Sequence, residues 1–281
     1  MERIRLSTPA DIPTLRRLWT LAFGDGGAYL DNFFDAYYQP ERMIVLEQAG
    51  EVLAMTAWFD TTFVLPGEGE YRAAYLYAVA THPDHRGKGL MGTMLEFSFG
   101  MGEAEGKDLS VLLTENDSLF DYYKRFGYTP AFSVSKVLPS EEAPFPMCKV
   151  RMLGEGDIAK LEYLYNAGTG SRIAISRDAK RWQEILEEYN ERVFGLFDQS
   201  GENLLAYALM DAEGVHAAEV IGIGADYLLW CCSMKPEEAT GRSLPTGEGD
   251  IPVGCALALS PRAEAVLKNG NFPPYLNILF N

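Results

Sequence analysis

Between His82 and Phe97 the chain reads HPDHRGKGLMGTMLEF, with Arg86, Gly87, Lys88 and Gly89 ahead of an apolar run at helical spacing. A helix starting near Lys88 to Leu90 has unpaired backbone N–H groups in its first turn, and these face the preceding glycine turn. The helix end carries about half a positive charge, and glycines let a phosphate approach the backbone with no Cβ in the way. Arg86 and Lys88 add full charges, so the chemistry on offer is anion binding. The turn lacks GxxxxGK[ST], and it lacks a GxGxxG followed by an acidic residue on the next strand, so it is neither of those nucleotide loops. A second group lies downstream, where TENDS contains Glu115, Asn116 and Asp117, and FDYYKRFGYT contains Tyr122 and Tyr123. A phenol, with an ordinary pKa of roughly 10, is protonated at neutral pH and can hand its proton to a leaving group. Tyr123 is the candidate acid, and Tyr122, about 100° away on a helix, is the packing neighbour with which it could exchange roles. Glu115 and Asp117 could accept a proton directly or through water, and Asn116 could bind substrate or cofactor. The plainer readings are core aromatics and a polar loop capping the next helix through Asp117 or Ser118.

These residues need elements to hold them. RIRL reads as a short strand, and TPADIPTLRRLWTLAF as a helix with Ile12, Leu15, Leu18, Trp19 and Ala22 at helical spacing. DNFFDAYYQ is a second helix, and RMIVLE and EVLAMTAWFDTTFVL form a hairpin turning at Gly50. YRAAYLYAVA leads into the glycine loop, and LSVLL is the short apolar run of a buried parallel strand. Strand, crossover helix and strand make a right-handed βαβ unit. The loop therefore sits at the carboxyl end of a parallel strand, where open α/β sheets bind ligands. The tyrosine helix ends at Gly127, and AFSVSKV returns as a strand. The three prolines of LPSEEAPFPMCK place a linker at 138–149, between domains at 1–137 and 150–281. Beyond it, KVRMLGEGDIAKLEYLYN parallels RIRLSTPADIPTLRRLW, which suggests a degenerate internal repeat.

AVATHPDHRGKGLMGTML resembles the acetyl-CoA loop of the GNAT N-acetyltransferase superfamily, Arg/Gln-x-x-Gly-x-Gly/Ala after the central strand. Arg86 and Gly89 match, while Met91 stands where a small residue is expected and Gly92 follows one step later. FDYYKRFGYTPAF is similar to the superfamily's Tyr-x-x-x-Gly-Phe signature and puts Tyr123 on its tyrosine. The resemblance implies an α/β (α+β) fold with a mixed central sheet and two splayed parallel strands, here YLYAVA and LSVLL. It implies acetyl-CoA as co-substrate and no metal. Pantetheine would bond the backbone of Tyr77, Ala78 and Val79, and the pyrophosphate would sit on the amides of Arg86, Gly87, Lys88, Gly89, Leu90, Met91 and Gly92. The thioester would point toward Tyr123. Two such halves, with the donor loop only in the first, resemble the enhanced-intracellular-survival family of acetyltransferases. At the corresponding place the second half offers VIGIGADYLLWCC, with no arginine or lysine, so it is expected to be a degenerate GNAT-like domain that binds no acetyl-CoA. That family appends a sterol-carrier-like domain whose C-terminal carboxylate reaches the first active site. This chain is expected to be too short for all three domains, and its tail, ending in Phe280 and Asn281, reads as a buried last strand, with a similar role for its carboxylate as the alternative.

Composition narrows the partners. The 281 residues carry a net charge of −16, with 47% hydrophobic and 23% charged residues, which suits a globular protein and repels nucleic acid and anionic membranes. Four cysteines show neither zinc-site nor disulfide spacing, and the start has no apolar signal region, so a soluble cytoplasmic protein is expected. The leading expectation is an N-acetyltransferase acting on a primary amine of a small cationic acceptor, aminoglycoside-like or polyamine, and a homo-oligomer is compatible with it. The alternative is a noncatalytic acyl-CoA-binding sensor or scaffold. A hydrolase is disfavoured, since the three histidines, His82, His85 and His216, come with no GxSxG and no HExxH.

Overall fold

The computed structural model describes residues 2–65, 67–114, 116–170, 172–247, 249–269 and 275–276. In chain order, β1 (Glu2–Leu6) is followed by α1 (Ile12–Phe23), α2 (Gly27–Asn32), β2 (Met43–Gln48), β3 (Glu51–Leu65) and β4 (Gly69–Thr81). Then come α3 (Leu90–Ala104), β5 (Leu109–Leu113), α4 (Asp117–Lys124), β6 (Thr129–Val137), β7 (Lys149–Met152) and α5 (Ile158–Thr169). β8 (Ala174–Ile175), α6 (Ala179–Tyr189), β9 (Val193–Phe197), β10 (Leu204–Met210), β11 (Ala217–Gly222) and α7 (Ala225–Cys232) follow. The last elements are β12 (Gly241–Ser243), β13 (Ile251–Ala258) and α8 (Pro261–Asn269). No helix among the described residues is long and apolar enough to cross a membrane.

The chain forms two compact units. The first comprises Met1–Thr62, Tyr71–Ala131 and Gly254–Gly270. The second comprises Phe63–Glu70, Phe132–Val253 and, of the last segment, Tyr275 and Leu276. A division at 138–149 into consecutive halves does not hold for residues 254–270, which join the first unit. The physical reason is the outer edge of β5. β4 occupies one side of that strand, and β13 pairs antiparallel with the other, from Gly254↔Leu113 to Ala258↔Leu109. Just beyond β13, the Arg262 Nε donates to Asp108 Oδ1 at 2.7 Å and the Ser260 hydroxyl donates to the same oxygen at 2.8 Å.

In the first unit the sheet order is β1-β2-β3-β4-β5-β13. Alternation along the strands separates two cores. Ile44, Leu46, Ala54, Trp58 and Leu76 pack with Leu90, Met94 and Leu95 of α3. Met43, Val45, Met55, Ala57 and Ala80 pack with Leu15, Leu18 and Trp19 of α1. Gly24, at φ +83°, ends α1 by donating its N–H to Thr20. The segment expected as a helix from Asp31 is helical but starts earlier, as α2, and continues into a wider π-helical turn over Phe33–Tyr37, closed by Tyr38 N–H on the Phe33 carbonyl at 3.0 Å, which buries both Phe33 and Phe34.

In the second unit the order is β7-β9-β10-β11-β12, with β6 beside β12. Each unit thus ends its run with an antiparallel strand, β13 on β5 in the first and β6 on β12 in the second. The repeat also extends to side chains. Arg5 grips Asp11 through Nη1 and Nη2 at 2.8 and 2.9 Å. Arg151 grips Asp157 through the same atoms at 2.7 and 2.7 Å, six residues along in both cases. Both carboxylates also accept a backbone N–H, from Thr8 and from Gly154, at the turn leading into α1 or α5. The second unit is further held by Arg177 on Glu219, a fully buried pair whose carboxylate also accepts the hydroxyls of Tyr207 and Tyr275.

Candidate active site

Strands β4 and β5 run parallel and in register from Ala73↔Leu109 to Leu76↔Leu112, where the paired register ends, while β4 continues to Thr81. Two residues past that point Ala78 takes φ +51°, a left-handed conformation that costs an alanine about 1 kcal/mol and recurs where backbone is aimed at a ligand. Its neighbours hold it. The buried Thr56 hydroxyl lies between two acceptors, the Ala57 carbonyl at 3.1 Å and the Tyr77 carbonyl at 3.3 Å, and the Tyr77 ring lies among Trp19, Phe33 and Phe59, with its hydroxyl bonded to that of Tyr29.

After β4, a short turn at Pro83–His85 leads to Gly87 and Gly89, at φ +75° and +84°, and Gly89 stands at the N-terminus of α3. A Cβ on either glycine would meet nothing within 4 Å, so the turn's backbone is open. The Arg86 Nε donates to the Thr81 carbonyl at 3.2 Å, which ties the loop to the end of β4.

The loop borders a cavity of about 540 Å³. Its walls include Val79, Arg86, Gly87, Gly89, Leu90, Met91 and Tyr123, which brings together much of the set picked out from sequence. Tyr77, Ala78, Lys88 and Gly92 do not line it. Lys88 is exposed, and Gly92 faces Phe126, whose ring would lie 2.8 Å from an added Cβ. The glycine one step after Met91 thus serves close approach of α3 to the end of α4, while Met91 itself is buried in the cavity wall.

Tyr123 is 6% exposed, and its ring lies against Tyr122 and Tyr128 at 5.3 and 5.8 Å. Burial pushes its phenol pKa up, with smaller upward contributions from Tyr122 and Cys255, so it holds its proton well into the alkaline range. Tyr122 also lines the cavity, so both tyrosines border one space. Asn116 caps α4, its Oδ1 accepting from Ser118 N at 2.9 Å. Asp117 is exposed in the first turn of α4 and is not part of the cavity wall, and Glu115 lies outside the described residues. Sequence reasoning did not select Phe23, Thr81, Arg125 or Phe126, which also line the cavity. The signal for Arg125 was its place two residues after Tyr123, at the end of the same helix.

The second unit has a shorter counterpart, in which β11 passes through Gly222, Ile223 and Gly224 into α7. A Cβ on Gly224 would lie 2.4 Å from Pro144, and one on Gly222 2.2 Å from the Leu205 carbonyl. The parallel partner β12 meets β11 at a single residue pair, Ala217↔Gly241.

No curated protein sequence matches the chain. The family model for an acetyltransferase (GNAT) domain matches residues 3–131. Among solved structures, a GCN5-related N-acetyltransferase from Kribbella flavida is similar at TM-score 0.72 and 14% identity, over 95% of this chain and 74% of that one. Eis1 from Mycobacterium abscessus is similar at TM-score 0.63 and 11% identity, over 95% and 76%. A tandem GNAT protein from the clavulanic acid biosynthesis pathway is similar at TM-score 0.58 and 10% identity, over 93% and 99%. Residues 3–131 thus match the GNAT acetyltransferase domain, and the chain over most of its length has the fold of these two-domain GNAT structures, Eis1 among them.

Proposed function

We propose that the protein transfers an acetyl group from acetyl-CoA directly to a primary amine on a small cationic acceptor. One observation carries this reading: the open glycine turn and Tyr123 face a single cavity beside the point where β4 and β5 part. The donor fits these residues, because a Cβ on Gly87 or Gly89 would enter empty space and a phosphate can take that space against the backbone N–H groups. Arg86 adds charge there, and the backbone of Tyr77, Ala78 and Val79 offers bonds to the pantetheine arm as to an added strand. When bound, the donor supplies an acyl carbon already activated as a thioester. The amine nitrogen forms the new C–N bond as the C–S bond breaks, and the Tyr123 hydroxyl gives its proton to the departing sulfur. The amine must be neutral at attack. Asp117, exposed at the start of α4, would take its proton through water, and Glu115 is the other proposed acceptor.

In the second unit Pro144 and the Leu205 carbonyl fill the space a phosphate would need at Gly224 and Gly222, so the reading gives each chain one donor site. The charge of −16 favours encounter with cations, and four free cysteines suit a reducing, cytoplasmic setting. The test is a panel of polyamines, aminoglycosides and simple amines incubated with acetyl-CoA, read by CoA-thiol release and product mass. An acetylated product is expected with at least one polycation. Bound acetyl-CoA with no acetylated product across the panel would favour an acyl-CoA sensor instead.

A further inference from the structure

The cavity in the first unit has an unusual charge for this protein. The chain has 40 acidic and 24 basic residues, yet no aspartate or glutamate is among the described residues that line the cavity, whereas Arg86 and Arg125 are. Most arginines elsewhere are neutralised at short range, among them Arg5, Arg42, Arg151 and Arg262, each within 3.0 Å of a carboxylate oxygen. Arg125 has no such partner among the described residues. Its guanidinium lies over the Tyr122 ring, 4.7 Å from the centroid, which holds the planar group in place without consuming its charge. Arg86 is fixed differently, by a single bond from Nε to the Thr81 carbonyl. Two cations from different elements, one in the β4–α3 loop and one at the end of α4, therefore border one cavity lined by no carboxylate among the described residues.

We propose that Arg125 is a phosphate-binding residue of this site, contacting a phosphoryl group of the CoA moiety from the end of α4. The proposal rests on the donor reading above and extends it to a residue outside the loop. A guanidinium presents several N–H donors in a fixed plane, which suits two oxygens of one phosphate, and the stacked ring pre-organises that plane. CoA offers such oxygens in two places, the pyrophosphate and the 3′-phosphate of its ribose. The chemistry of the contact is the same for both.

The test is calorimetric titration of the full chain, wild type and Arg125→Gln, with CoA and with dephospho-CoA, each at two ionic strengths. The charge-assisted contact predicts a ten- to hundredfold weaker Kd for CoA in Arg125→Gln and a shallower dependence on salt, with an unchanged melting temperature because the side chain is exposed. Arg125→Lys, which keeps the charge and loses the fork, should fall between. A loss confined to CoA places Arg125 on the 3′-phosphate, and an equal loss for both nucleotides places it on the pyrophosphate. Arg125→Gln binding both as tightly as wild type, with the same salt slope, overturns the role of Arg125 and leaves the donor reading standing. A wild-type protein that binds neither nucleotide overturns both.

Discussion

Tyr123 is buried in α4 and borders the cavity, and its surroundings give the proposed acid role a measurable form. Burial raises the phenol's pKa, so the acid stays protonated below its ordinary value near 10, and loss of turnover from its ionisation should begin only above that pH. Tyr123→Phe should reduce kcat about a hundredfold and leave the Kd for acetyl-CoA unchanged. Equal kcat would remove the tyrosine from the acid role, and Tyr122, on the same cavity, would be the next candidate. Thr56 acts at a distance, through the Tyr77 carbonyl beside the left-handed Ala78. Thr56→Val keeps the shape, loses a hydrogen bond worth about 1 kcal/mol and should lower kcat severalfold, with Thr56→Ser restoring it. A valine variant with wild-type kcat would show that the kink holds itself. At this scale the sequence exposed residues whose type carries chemistry, such as Arg86, Gly89 and Tyr123. Thr56 was not legible, and Arg125 only by its place two residues after Tyr123, because the roles proposed for them depend on which backbone or ring lies across a strand pair or a helix end.

Among the elements, the strand–turn–helix opening of each unit was readable from the parallel of RIRLSTPADI with KVRMLGEGDI, and the structure supplies its physical cause. Arg5 and Arg151 each clamp an aspartate that also accepts a backbone N–H in the turn before the helix. The Arg5 hydrogen bond, opposed in part by burial and aided by Thr8, lowers the Asp11 pKa to about 2, and Arg151 lowers Asp157 in the same way. A depressed carboxylate stabilises the fold fully above its ordinary value near 4, and that contribution is lost as pH falls toward 2. Asp11→Asn should therefore cost about 1–2 kcal/mol at pH 7 and little at pH 2, measured by urea unfolding at both. An equal cost at both pH values would show that the carboxylate's charge is not what matters. The helix expected from Asp31 is present but begins earlier, at Gly27, and widens into a π-helical turn over Phe33–Tyr37 that buries Phe33 and Phe34, a widening that a helical period in the sequence does not reveal.

For the whole molecule, two units were legible and their membership was not. Local periodicity finds strands, but the partner of β5 lies at Gly254–Ala258, some 140 residues along the chain, and only the tertiary structure states that pairing. The two glycine turns show the same limit. Each sits between a strand and a helix, and only the structure shows open space over Gly87 and Gly89 against Pro144 and the Leu205 carbonyl at Gly224 and Gly222. The central claim is thus a count as well as a chemistry: one donor site per chain, in the first unit. Calorimetric titration of the intact protein with acetyl-CoA tests it most directly. The account predicts saturation at one acetyl-CoA per chain; saturation at two, or no binding at all, would contradict it.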